Sequence, residues 1–78
     1  MTLTAEQWVA HFAEALGRPM PEAAEIDEIL ALASVAAHAS ERRAAPVACW
    51  LAASAGVSPE RARDIAEALI LPPAPPPA

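Results

Sequence analysis

Apolar residues recur along the chain at helical spacing in four stretches, separated by glycine, proline or a short polar run. In the first, Ala5, Trp8, Val9, Phe12 and Leu16 fall on one face. Thr4 followed by Gln7 is a capping-box pattern that predicts a helix start, and Glu6 places a favourable charge near that end. Gly17 and then Pro19 predict its stop. The second stretch predicts a helix over about residues 25–39. Ile26, Ile29, Leu30, Ala33 and Ala37 form its main apolar face, Leu32, Val35 and Ala36 form a second, and a narrow polar stripe runs through Asp27, Ser34 and His38.

The third stretch opens at Pro46, read as the first helical residue because a missing N–H costs nothing there. It runs to Gly56, and no charged residue stands between Pro46 and Pro59. A helix apolar on all sides belongs at the centre of a bundle or in an interface. Ser58 and Pro59 predict the start of a fourth helix reaching about residue 70. Its Ala62, Ile65, Ala66 and Leu69 are expected to face inward, and Arg63 and Glu67 to pair weakly one turn apart. Residues 71–78, with five prolines, predict an extended, disordered tail. The fold expected is all-α: a compact bundle of four short helices over residues 1–70, with the second and third helices central.

Composition narrows the function more than it names one. The 78 residues make one domain, and about a quarter of them are alanine. Alanine helices bury little area each, so Trp8, Phe12, Trp50 and the leucines and isoleucines must carry any core. If Trp50 is fully buried, Trp50→Ala is expected to cost about 3–5 kcal/mol. The net charge is −5 and all five basic residues are arginine. That balance argues against nucleic acid and against membrane surfaces as partners. No apolar run reaches the eighteen or so residues of a membrane span, and the start lacks the pattern of a signal peptide. The chain is expected in the cytoplasm. One cysteine permits no internal disulfide, and one Cys with two His gives no zinc spacing, so neither a metal nor another cofactor is expected.

Polar chemistry concentrates between the second and third helices, where His38, Glu41, Arg42 and Arg43 lie within six residues. Together with the free N–H groups of the third helix they could hold phosphate, a pyrophosphate or a partner carboxylate. In the structural alternative His38 caps its own helix and Glu41 pairs with an arginine, while Arg42 pairs with Glu41 or a nearby carboxylate or bonds the last carbonyls of the second helix. Cys49 with His38 could form a nucleophile and base if Cys49 lies in the first turn of its helix, where the dipole lowers a thiol pKa, but no third orienting group is marked. No enzyme is expected. The acidic residues Glu22, Glu25, Asp27 and Glu28 are explained by the helix dipole. Two mostly apolar helices in so small a bundle predict an uncovered apolar patch and therefore a protein partner or a homo-oligomer, with Trp50, Leu32 and Val35 as candidate interface residues.

The run from Leu32 to Gly56 resembles a small helical domain of actinobacteria that occurs alone or fused behind molybdenum-cofactor guanylyltransferase. The resemblance rests on Trp8, Ala37-His38, Glu41-Arg42, Ala45-Pro46 and Gly56, and covers most of residues 6–69. The chain departs in having Arg43 where a proline often follows the Glu-Arg pair, and in its proline-rich tail. The resemblance carries over no catalytic residue. It implies an accessory or adapter protein beside molybdenum-cofactor biosynthesis or a molybdoenzyme. A small anion- or nucleotide-binding module using residues 38–46 is the alternative.

Overall fold

The computed structural model describes residues 2–69, and the tail expected over 71–78 lies outside them. The described residues hold four helices and no strand: α1 (Ala5–Leu16), α2 (Ala23–Ala39), α3 (Ala44–Ser54) and α4 (Pro59–Ala68). None is long and apolar enough to cross a membrane.

The helix ends follow from the local sequence. At α1 the capping box is complete: the Gln7 N–H donates to Thr4 Oγ1 at 3.1 Å, and the Thr4 N–H donates to Gln7 Oε1 at 2.8 Å. Gly17 closes the helix at φ 70°, a left-handed backbone that a Cβ would strain, and Arg18 N–H reaches back to the Ala13 carbonyl. Ser58 Oγ accepts from the Arg61 N–H at the head of α4, with Pro59 as its first residue. Two starts differ from expectation. Helix α2 begins at Ala23, and α3 begins at Ala44, which makes Pro46 its third residue instead of its first. The N–H that Pro46 lacks is still among the first four that have no intrahelical acceptor, so proline does not delay the helix.

The packing is uneven. Helix α2 is the hub: it packs against both α3 and α4, which touch each other only lightly. Among the described residues α1 has no close backbone approach to another helix, although its Ala13 is buried. Leu32, on the inner side of α2, is 4% exposed, and Ala62 of α4 is also buried. Against α2, helix α3 turns small side chains: Ala45, Ala48, Cys49 and Ala52 are half-buried. The sequence expectation that α3 is central therefore fails in one respect. Trp50 is 69% exposed, with Val47 and Leu51 beside it on the same stripe, so Trp50 is not a core residue. Small residues let the two backbones approach closely, and Cys49 Sγ lies 3.9 Å from the Ile29 carbonyl of α2.

Two further expectations need correcting. Leu32 is buried and cannot be an interface residue, whereas Val35 is half-buried. On α4, Ala62 and Ala66 turn inward, but Ile65 sits at the flank and Leu69 lies past the helix end, and both are exposed.

Candidate functional site

The 38–46 segment joins α2 to α3 on the solvent side. His38 bonds back onto its own helix: its Nδ1 lies 2.8 Å from the Ser34 carbonyl, which can only accept, and 3.1 Å from Ser34 Oγ. The Nδ1–H tautomer satisfies the shorter contact and leaves Nε2 as the free acceptor. Glu41 is taken by Arg43, whose Nε donates to Oε1 at 2.6 Å, and both side chains are exposed. Arg42, expected in that pair, has no ion pair or side-chain hydrogen bond among the described residues. The four residues lie close in sequence, but each contact found is local. An open cavity elsewhere among the described residues is lined by none of them.

That cavity is an open groove of about 660 Å³ under the α1–α2 connection, which sequence reading missed. Arg18 and Pro21 of the connection face Ile29 and Leu32 of α2, and Cys49 and Ala53 of α3 complete the wall. The signal was present in Pro19 and Pro21, which keep the connection extended and off the helices. Cys49 is the sixth residue of α3, not in its first turn, and its Sγ lies 3.9 Å from the Ile29 carbonyl. Burial pushes its thiol above the ordinary value, the reverse of the shift a nucleophile needs.

A second polar contact crosses the bundle. Arg63 of α4 does not pair with Glu67. Its Nε lies 3.0 Å from Glu28 Oε2 on α2, and its Nη2 lies 3.9 Å from Asp64. The Nε–H is off the line to Oε2, so the 3.0 Å contact is an ion pair without a hydrogen bond, and neither atom finds another partner. Glu28 thus has a tertiary role beyond its place near a helix start.

The remaining feature is apolar. On α1, Trp8 (55% exposed) stacks on Phe12 (48% exposed) with ring centroids 5.1 Å apart, and Leu16 continues the stripe. On α3, Val47, Trp50 and Leu51 form a second stripe. Side chains of this size normally supply a small domain's core. Here they form its surface.

The sequence profile of a domain of unknown function, DUF6457, matches residues 2–74, nearly the whole chain. The chain belongs to the DUF6457 family. No curated protein and no solved structure matches it. The DUF6457 fold is thus read from this chain's own residues, and its most distinctive surface is the pair of apolar stripes.

Proposed function

We propose that this DUF6457 chain is a non-catalytic, cytoplasmic accessory or adapter protein that acts by having its apolar stripes covered by protein. The observation that carries this reading is the inversion of side-chain size on α3. Alanines and Cys49 are turned to α2, while Trp50, Val47 and Leu51 are turned to solvent. Contiguous exposed apolar side chains of this kind mark interaction sites in soluble proteins. The raised thiol pKa of Cys49 and the bonding of His38 to its own helix add no support for chemistry at that pair.

The resemblance of residues 32–56 supplies the neighbourhood: molybdenum-cofactor guanylyltransferase or a molybdoenzyme as the machinery beside which the adapter works. Titrating the purified chain against that guanylyltransferase and following sedimentation tests it. The expected result is a complex that Trp50→Glu abolishes. A guanylyltransferase that sediments unchanged by the chain at tens of micromolar would remove it as the partner.

One observation favours a second reading. Arg42 holds an exposed guanidinium with no partner among the described residues, near the start of α3. A phosphorylated ligand bound there would lose its affinity in Arg42→Ala, and lysine would restore little of a bidentate contact.

A further inference from the structure

A compact chain of 8.1 kDa presents roughly 4,500 Å² to solvent. This chain presents 6568 Å². The residues outside the described range do not account for the difference. Even if they exposed as much surface as an unfolded chain, about 1,400 Å², the described residues would present about 5,200 Å², about 1,000 Å² more than the roughly 4,100 Å² of a compact chain of their mass. A standard stable interface takes about 800 Å² from each partner. The surplus on one chain therefore matches one partner's share of a stable interface.

Six of the eleven exposed large apolar side chains among the described residues lie on two helices. The α1 stripe of Trp8, Phe12 and Leu16 has no close backbone approach from another helix among the described residues. The α3 stripe of Val47, Trp50 and Leu51 lies opposite the side that packs on α2. Neither stripe contains a charged residue. Pairing α1 with α1 alone would leave α3 bare, and pairing α3 with α3 alone would leave α1 bare. Pairing α1 of one copy with α3 of the other covers both stripes on both copies, and a twofold axis closes the assembly. The connection that carries α1 away from α2 includes Pro19 and Pro21, so it is short and stiff, the arrangement from which an element is readily exchanged between two copies.

We propose that the occupant of the apolar stripes is a second copy of this chain, in a symmetric dimer in which α1 of each copy lies on the outer face of α3 of the other. This rests on the adapter reading in that the same stripes are covered by protein, so a second copy and the guanylyltransferase would compete for them. The geometry makes Trp8 and Trp50 the two halves of one contact, repeated twice. It differs from a partner-binding patch in being self-complementary.

Complementation between two variants tests it. Trp8→Glu spoils the α1 half of both contacts in its own homodimer, and Trp50→Glu spoils the α3 half of both. In a mixed dimer both damaged halves meet in one contact and the other contact is wholly native. Sedimentation equilibrium of the full-length chain at tens of micromolar should give twice the 8.1 kDa chain mass. Each variant alone should lose association by roughly thirtyfold or more, the size of an aromatic hot spot. Their equimolar mixture should regain the dimer. Phe12→Glu with Val47→Glu is the second pair, and far-UV circular dichroism confirms that each variant keeps its helices. A wild-type chain of single mass overturns the proposal, whether α1 folds back onto its own α3 or a different protein covers the stripes. So does a mixture that stays monomeric, or a Trp50→Glu variant that dimerises normally. A monomer that binds the guanylyltransferase would leave the adapter reading standing alone, and a dimer that binds no other protein would leave the dimer standing without it.

Discussion

Helix α2 is packed on two sides, by α3 and by α4, whereas α3 leans chiefly on α2 and shows its other side to solvent. Both helices are rich in alanine with a few large apolar residues, so composition alone does not separate them. The difference lies in where the large side chains sit relative to the small ones. In α2, Leu32, Ile29 and Ile26 lie on the packed side, and its open stripe is Asp27, Leu30, Ser34 and His38. In α3 the packed side is Ala45, Ala48, Cys49 and Ala52, and the open stripe is Val47, Trp50, Leu51 and Ser54. An apolar helix is thus not a core helix by default. Close approach of small residues can fix its orientation and leave its bulk for another surface.

The largest expected effect that would break this comparison is at Leu32. Leu32→Ala removes the most buried large side chain of α2 and should destabilise by about 2–5 kcal/mol, which denaturant unfolding reads directly. In a domain of this size that is most of the stability. Trp50→Ala on α3 should behave differently. Its effect on the midpoint should depend on protein concentration and vanish at high dilution, because the side chain stabilises an association and not the single chain. A concentration-independent loss of the size seen at Leu32 would place Trp50 in the core after all.

A smaller effect is expected across the α2–α4 contact. Arg63→Ala leaves Glu28 without its ion pair, and because both side chains are about a third exposed the cost should be near 1 kcal/mol and should shrink as salt is raised. Arg63→Ala and Glu28→Ala should therefore be less than additive in a double-mutant cycle. Cys49 sets a pH dependence. Its folded-state pKa is raised by burial, so the folded chain holds the thiol proton more tightly than the unfolded one. Its contribution to stability is complete below the unfolded thiol pKa of about 8.5 and declines as pH rises from there toward the folded value. Cys49→Ser should flatten that alkaline decline. Least affected should be Arg42→Ala, within about 0.5 kcal/mol of the parent, since Arg42 contacts no carboxylate among the described residues.

These expectations also show which features were legible in the sequence. Thr4 with Gln7, Gly17, Gly56, and Ser58 with Pro59 marked helix ends because caps are local chemistry that needs no tertiary partner. The four helices and their all-α class followed from the same signals. The direction of α3 did not. With no charged residue between Pro46 and Pro59 its pattern has no polar side to point outward, and size was read as a sign of burial. Spacing along one helix points Arg63 to Glu67, whereas Glu28 is brought near only by the packing of α2 on α4. In the 38–46 segment the residue types were legible but their partners were not. Arg43 holds Glu41 and Arg42 does not, and α3 starts at Ala44, two residues before the position that Pro46 suggests.

The central claim is that the bulky side chains of α1 and α3 are two halves of one contact made between copies. Isotope-filtered nuclear Overhauser spectroscopy on a sample mixed from labelled and unlabelled chains tests it most directly. The account expects cross-peaks from the Trp50 indole and the Val47 and Leu51 methyl protons of the labelled copy to the Trp8 and Phe12 ring protons of the unlabelled copy. The absence of every such intermolecular peak, or the same contacts appearing only within a single chain, would contradict it.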